Sequence, residues 1–258
     1  MKFGICTSAD NAAWAHKAGF DYIELPLNAI GALDDAGFAS AEQNLCDAHI
    51  QAERFNLLFP KTLHVLGPDA DTAVTEKWLR TAFGRMKKLG GKTAVFGSGK
   101  SRTIPAGMLF RQGFDQLVSA VQLTGNIAAE YGIQIAIEPL NRSETNIINT
   151  VTEGEMLAYC VNLPNVGVLA DWYHMFLENE PADHIYLVKN ILHTHIAQGT
   201  DRRYPSGDGS QVAVFFEALK KAGYDGTMSI EGRTENIQKD GEEALALMKK
   251  LASCGEIK

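Results

Sequence analysis

The sequence predicts an α/β fold, a single (β/α)₈ TIM barrel that spans residues 1–258. Its 258 residues match the roughly 250 that are typical of such a barrel. Apolar, β-branched runs alternate with segments of helical periodicity along the chain. Glycine closes several helix-like segments just before the next strand-like run, as in Lys17–Asp21 and Lys221–Asp225, and glycine suits the left-handed residue at a helix end. No linker or low-complexity segment interrupts the pattern, so we expect one domain.

Eight strand-like runs and eight helix-like segments follow one another in alternation. Short apolar runs predict strands near residues 2–6, 21–25, 52–58, 93–97, 134–138, 166–171, 191–195 and 226–231. Apolar stripes of 3.6-residue period predict helices near 9–18, 40–49, 72–89, 108–131, 152–163, 181–189, 210–222 and 238–252. An open doubly wound sheet is the alternative. It needs a phosphate-binding first turn, which Cys6–Asp10 does not supply, so a closed parallel barrel is favoured.

The composition limits the partners and the compartment. The chain carries 24 basic and 31 acidic residues, a formal charge of −7, and this disfavours nucleic acid as the main partner. No apolar stretch approaches the ~18 residues of a membrane span. The first residues lack a signal-peptide hydrophobic region, so we expect a cytoplasmic protein without a membrane partner. The four scattered cysteines, Cys6, Cys46, Cys160 and Cys254, are expected to be reduced and mostly buried, without structural zinc.

Four polar residues each stand at the downstream end of a predicted strand. They are Glu138, Asp171, His195 and Glu231. The carboxyl ends of parallel strands meet on one rim of a barrel, the rim that carries the active site in essentially every characterised enzyme of this fold. Three carboxylates and one imidazole make an oxygen-rich ligand set that suits Mn²⁺ and tolerates Mg²⁺ or Co²⁺. The sequence therefore predicts one divalent metal ion at this rim.

Two further polar residues follow these ligands closely. Glu144 lies six residues after Glu138 in a polar loop, and His174 lies three residues after Asp171. Their adjacency to the ligands predicts contact with a substrate. His193 and His195 point to the same side of one strand. We assign His195 to the metal because it is nearest the strand end, and we place His193 in a second layer inside the barrel.

The sequence supports neither a phosphate-binding loop nor a nucleophilic catalytic motif. The run Gly97–Ser101 looks like a phosphate loop, but the glycine that this motif requires five residues before Gly99 is Ala94 here. No motif supports Ser-His-Asp or Cys-His nucleophilic catalysis. Long segments that follow four of the predicted strands are expected to lie on the same rim as the ligands. They cover residues 56–71, 97–107, 139–151 and 197–209.

The second half of the chain resembles a known family, the xylose isomerase-like TIM barrels, and it looks closest to the D-tagatose/D-psicose (allulose) 3-epimerases. The matching segments, in order, are Ile137–Arg142 with Glu144 and Asn149-Thr150, Asp171–Met175, His193–His195 with Asp201–Pro205 and the Gly207-x-Gly209 motif, and Ser229–Glu231. This resemblance implies that Glu138, Asp171, His195 and Glu231 bind a Mn²⁺-type ion. It implies that Glu138 and Glu231 are the proton-transfer pair, and that Glu144, His174 and Arg202 grip a sugar. Such enzymes are usually homodimers or homotetramers.

The function expected from this resemblance is C3 epimerisation of a ketose through a cis-enediolate, which makes the protein an isomerase of a small sugar or polyol. Sibling reactions of the same fold are the alternatives: hydroxypyruvate isomerase, or an isomerase or dehydratase of an inosose. An apurinic-site endonuclease-like metallohydrolase would need more histidines, after strands three, four and seven. A sugar-binding protein without catalysis is the remaining alternative. Arg202 stands seven residues after His195, where the family usually has six.

Overall fold

Eight parallel strands close into a barrel in the computed structural model, which describes residues 1–253. The strands pair in sequence order, and β1 pairs with β8 to close the barrel. This confirms the predicted (β/α)₈ TIM barrel. The strands are β1 Lys2–Cys6, β2 Tyr22–Pro26, β3 Ala52–Asn56, β4 Thr93–Phe96, β5 Gln134–Ile137, β6 Val166–Asp171, β7 Ile191–Ile196 and β8 Thr227–Ile230.

Helices connect the strands on the outside of the barrel. They are α1 Ala12–Ala18, α2 Leu27–Ala32, α3 Asp35–Ala48, α4 Thr72–Lys88, α5 Gly99–Arg102, α6 Phe110–Glu130, α7 Val151–Val161, α8 Trp172–Leu177, α9 Ser210–Lys221 and α10 Ile237–Ser253. Two 3-10 helices, Ala9–Asn11 and Ala182–Leu187, complete the set, and the second replaces the α-helix predicted over 181–189.

Local backbone features explain why some helix and strand bounds differ from the predicted ones. Helix α3 begins at Asp35 rather than near 40, because the Asp34 side chain accepts a hydrogen bond from the Gly37 amide and caps the first turn. Strand β3 ends at Asn56, because the next residue, Leu57, adopts a φ of 49° that leaves the extended conformation. The three short helices α2, α5 and α8 were not predicted, since each has only four to six residues.

The apolar core lies between the strands and the surrounding helices, whereas part of the barrel interior is polar. Buried apolar side chains from both layers form the main cluster. A separate apolar layer inside the barrel contains Val95, Ala136 and Leu169. Alternate residues of β2, β7 and β8 instead bury polar groups: Tyr22 and Glu24, His193 and His195, Thr227 and Ser229. This polar interior lies directly beneath the carboxyl rim.

The prediction that the cysteines are mostly buried was wrong. Cys46 and Cys160 are exposed, and Cys6 is partly buried; all three are free thiols. Cys46 on α3 and Cys160 on α7 lie on the outward faces of their helices. Cysteine is small, so the apolar pattern of the sequence does not tell whether it lies on the outward face or on the core face. Cys254 lies outside the described residues. Within residues 1–253, no helix is long and apolar enough to cross a membrane.

The repeated helix-end glycines adopt the left-handed conformation that the sequence predicts. Gly19 has a φ of 88° and Gly223 a φ of 70°. After Gly19, the chain turns so that the Asp21 carboxylate accepts a hydrogen bond of 2.7 Å from the amide of Phe3 on β1. These glycines set the short turn that returns each helix to the bottom of the next strand.

We expect Gly223→Ala to destabilise the protein by about 1 kcal/mol, because only the left-handed backbone, and no neighbouring atom, opposes the added methyl group. Gly84→Ala is the matched control. Gly84 lies inside α4, and a new Cβ would be 3.9 Å from the nearest atom, so this change should stabilise by about 0.5–1 kcal/mol. Urea denaturation of both variants measures the difference. Equal shifts in the same direction would contradict the assignment.

Candidate active site

The four residues at the predicted strand ends meet at one point of the rim. One ligand atom from each of Glu138, Asp171, His195 and Glu231 can be chosen so that all four lie within 4.8 Å of one another. Parallel pairing brings Asp171 on β6 directly beside His195 on β7. Glu138 follows β5 and Glu231 follows β8. The barrel closure therefore gathers side chains that are separated by up to 93 residues in the sequence.

His195 lies at the centre of this cluster, and its two ring nitrogens face different partners. Its Nδ1 atom is 3.3 Å from Oε1 of Glu138 and 3.2 Å from Oε2 of Glu231. Its Nε2 atom is 3.0 Å from Oε1 of Glu24. The ring is fully buried. Nδ1 is therefore the nitrogen that faces the rim.

The chemistry of this donor set fits a divalent cation. Three carboxylates at such short separations repel one another. Within the described residues, the guanidinium of Arg202 contacts two of them, and the imidazole rings of His174 and His195 lie beside them. Carboxylate oxygens with one imidazole suit ions such as Mn²⁺. Nε2 of His174 is buried without a hydrogen-bond partner at 3.5 Å from Oδ2 of Asp171, so a polar group aimed at the cluster is still free.

Glu24 belongs to the site, and the sequence analysis missed it. Its carboxylate is fully buried on β2 and touches both histidines of β7. His193 lies one layer below His195, and its Nε2 is 2.8 Å from Oε2 of Glu24. The signal was present in the alternation of β2, where Glu24 shares a face with Tyr22 while Ile23 and Leu25 point to the other side.

Asn56 is a second residue that the sequence analysis did not assign to the site. It is the last residue of β3, and its Nδ2 atom donates a 2.6 Å hydrogen bond to Oε1 of Glu231. The Oδ1 atom of Asn56 is buried without a partner. This amide therefore holds one side of the Glu231 carboxylate while its own oxygen remains available.

Arg202 reaches into the site from the loop after β7. Its Nη2 atom donates to Oε2 of Glu231 and, at 3.2 Å, to Oδ2 of Asp171. Its guanidinium stacks 4.7 Å from the ring centre of Tyr173. Paired backbone hydrogen bonds between Gln198 and Arg203 close this loop into a tight turn, in which Arg202 itself has a φ of 57°. Arg202 stands seven residues after His195 rather than the six usual in the family. The turn accommodates this extra residue, and Arg202 still points into the site.

His174 and Glu144 lie beside the cluster on the loop side. The Nδ1 atom of His174 accepts hydrogen bonds from the backbone and side-chain amides of Asn141, at 3.1 and 2.8 Å. This leaves the proton of the neutral ring on Nε2, which faces the carboxylates. Glu144 is 40% exposed in its side chain, contacts Asn141 Nδ2 at 3.3 Å and lies 3.9 Å from Arg202. The structure therefore brings all the predicted substrate residues to the same rim.

Two residues of the loop after β4 fix the position of Glu138. A Cβ atom at Gly97 would lie 2.1 Å from Oε2 of Glu138, so the carboxylate occupies space that any other residue would fill. Arg102 is fully buried, and its guanidinium donates hydrogen bonds to the carbonyl oxygens of Gly97 and Glu138. Burial lowers the pKa of Arg102 to about 10.

The surroundings move the pKa values of the two glutamates in opposite directions. Burial raises the pKa of Glu138. Burial would also raise that of Glu231, but Arg202 and His195 outweigh it and hold the pKa of Glu231 below its usual range. Burial, with nearby carboxylates, raises the pKa of the Cys6 thiol. Cys6 therefore stays protonated and is unsuited to act as a nucleophile.

Comparison with known proteins shows that the chain is similar to sugar epimerases. The family described as xylose isomerase-like TIM barrel matches residues 12–253. An L-ribulose 3-epimerase from Methylomonas sp. (strain DH-1) is 31% identical over 227 residues, which cover 87% of this chain and 78% of that protein. A ketose 3-epimerase from Arthrobacter globiformis is 30% identical over 232 residues, 86% of this chain and 76% of that protein.

A solved structure has the same fold along 97% of the chain. The D-allulose 3-epimerase from Methylomonas sp. in complex with D-allulose superposes with a TM-score of 0.83 at 25% identity, and covers 97% of this chain and 96% of that one. Both sequence relatives are epimerases, a class of isomerase, and they confirm the prediction of an isomerase.

We expect Gly97→Ala to lower the affinity for Mn²⁺ by at least tenfold, because the added methyl group would displace the Glu138 carboxylate. Isothermal titration calorimetry with the metal alone measures this affinity. Gly84→Ala, which adds the same methyl group inside α4, is the control and should bind Mn²⁺ like the unmodified protein. Unchanged affinity in a folded Gly97→Ala variant would exclude Glu138 from the ligand set.

Proposed function

The chain belongs to the xylose isomerase-like TIM barrel family, and from this premise we propose that it is a metal-dependent ketose 3-epimerase. The two relatives that match most of its length support this reaction. The observation that carries the proposal is that Glu138 and Glu231, from strands that are not neighbours, both reach Nδ1 of His195. We further propose a small sugar or polyol substrate, a cytoplasmic location and a homodimer or homotetramer.

The ion in this proposal is a single divalent metal, with Mn²⁺ preferred over Mg²⁺ or Co²⁺. Glu138, Asp171, Nδ1 of His195 and Glu231 would hold it. When bound, the ion supplies a positive charge that polarises the ketose carbonyl and stabilises the negative charge that develops on the substrate oxygens.

Glu138 and Glu231 move the proton. One carboxylate removes the proton from C3 of the ketose, which leaves a cis-enediolate, and the carboxyl group on the other side returns a proton to the opposite face. Different residues hold these two carboxylates in place. Asn56 and Arg202 orient Glu231, whereas Gly97 and Arg102 define the position of Glu138.

The remaining polar groups orient the sugar. The free Nε2–H of His174 can donate to a substrate oxygen, and its ring orientation is fixed by Asn141. Glu144 can accept a hydrogen bond from a hydroxyl group, and Arg202 can donate to one. Arg202 also links these loops to Asp171 and Glu231, so that substrate contacts and proton transfer share one group.

Two alternatives of the same fold remain outcomes of the test. If the proton returns to the neighbouring carbon, the same residues perform an aldose–ketose isomerisation, such as that of hydroxypyruvate or an inosose. A multi-zinc nuclease would need histidines at the ends of β3 and β4. Asn56 ends β3 and Gly97 follows β4, so these positions do not support that alternative.

Epimerase activity tests the proposal directly. We expect the purified protein with Mn²⁺ to interconvert at least one pair of free C3-epimeric ketoses, and exhaustive chelation to abolish turnover until Mn²⁺ is returned. Product analysis by chromatography distinguishes epimers from aldoses. Full activity after chelation would remove the metal from the proposal. Two or three zinc ions per chain would favour the nuclease, and sugar binding without turnover would indicate a binding protein.

Glutamine in place of either glutamate tests the two-base scheme. Glu138→Gln and Glu231→Gln keep the size and one coordinating oxygen but cannot accept a proton, so we expect the rate to fall by about 10²–10⁴-fold. In deuterated solvent, each variant should still exchange the C3 proton of one epimer and not of the other. Glu180→Gln, a buried glutamate outside the barrel, is the control. Near-normal epimerisation by both variants, or equal exchange of both epimers, would exclude two bases.

A further inference from the structure

Glu24 carries a buried charge that the proposed proton transfer does not use. Its carboxylate lies inside the barrel with no exposed surface. Each of its oxygens faces one histidine: Oε1 is 3.0 Å from Nε2 of His195, and Oε2 is 2.8 Å from Nε2 of His193. A buried carboxylate is costly unless hydrogen-bond donors satisfy it. The geometry therefore requires a donor at each of these two nitrogens.

We propose that Glu24 is a positioning residue, which fixes the ring proton of His195 on Nε2 and so leaves the Nδ1 lone pair directed at the metal site. A metal-bound histidine commonly donates its other N–H to a carboxylate, which sets both its tautomer and its ring orientation. The inference rests on the proposed function, because it assigns Nδ1 of His195 to the metal.

The hydrogen bonds around His193 can be assigned consistently with this role. Nε of Arg54 donates to the hydroxyl oxygen of Thr227 at 3.0 Å. Nδ1 of His193 lies 2.8 Å from the Thr227 hydroxyl, which can donate its own proton there. It also lies 3.0 Å from the Thr227 carbonyl oxygen, which accepts hydrogen bonds from the Thr194 and Tyr224 hydroxyls. His193 then carries its proton on Nε2 and donates it to Glu24. The Glu24 carboxylate only accepts hydrogen bonds, so both histidines carry a proton on Nε2.

His193 thus holds the second carboxylate oxygen of Glu24. With Oε2 fixed by His193, the other oxygen can accept only along the direction of His195. The two rings meet edge to face, with centroids 4.9 Å apart. The series of hydrogen bonds begins at Arg54 on β3, passes through Thr227, His193 and Glu24, and ends at Nε2 of His195, on the side of the ring away from the metal site.

The variants Glu24→Met and Glu24→Gln distinguish this positioning role from a simple effect of the lost charge. Glu24→Met has no acceptor, so the ring proton of His195 can move to Nδ1 and the affinity for Mn²⁺ should fall by about 10–100-fold. The amide oxygen of Glu24→Gln still accepts from Nε2, while its NH₂ group can donate to His193. Glu24→Gln should therefore bind Mn²⁺ within a few fold of the unmodified protein, although both variants lose the same charge.

Glu180→Met is the matched control, because Glu180 is also buried and also pairs with a histidine, His184, but outside the barrel. It should leave the Mn²⁺ affinity unchanged. Calorimetry with Mn²⁺ alone gives the affinities. Normal affinity in Glu24→Met, or equal losses in the glutamine and methionine variants, would overturn the positioning role.

Nitrogen-15 NMR of labelled histidine in the protein loaded with diamagnetic Mg²⁺ shows which ring nitrogen of His195 carries the proton. We expect the proton on Nε2 in the unmodified protein and in Glu24→Gln. A proton on Nδ1 in the unmodified protein would overturn the inference even if Glu24→Met failed to fold. Failure of the proposed function has a different signature: no Mn²⁺ binding and no epimerase activity, with the His195 proton still on Nε2.

Discussion

The repulsion among three carboxylates on one rim is the constraint around which the site is organised. Glu138, Asp171 and Glu231 come together with His195 within 4.8 Å because eight parallel strands end at the same edge. Such a concentration of negative charge is unstable unless cations and N–H donors balance it. The neighbouring groups do this from fixed positions: Arg202 bridges two of the carboxylates, and Asn56 donates to a third oxygen.

The site is built in two layers with different tasks. The strand ends carry the groups that we propose to hold an ion and, beneath them, the hydrogen bonds from His193 and His195 to Glu24. The loops above carry Glu144, His174 and Arg202, which are available to a sugar. Arg202 joins the two layers, because it also donates hydrogen bonds to Asp171 and Glu231, so a change at this residue affects both layers.

The sequence predicted the parts of the site that depend on local pattern and topology alone. A polar residue after each of four apolar runs was sufficient, because parallel closure places every such residue on one rim. Glu24 and Asn56 were not predicted, since their partners are 171 and 175 residues away and only the barrel register brings them together. Arg102 was missed for a similar reason: a cation in an exposed-looking glycine-rich loop gives no sign that its guanidinium is buried against two backbone carbonyls.

The buried guanidinium of Arg102 has a consequence for motion. It joins the carbonyl of Gly97, at the start of the loop after β4, to the carbonyl of Glu138, directly after β5, so this loop is attached to the end of the neighbouring strand. Segments with buried polar attachments open rarely, whereas exposed turns open easily. The loop after β4 is therefore a fixed wall of the site.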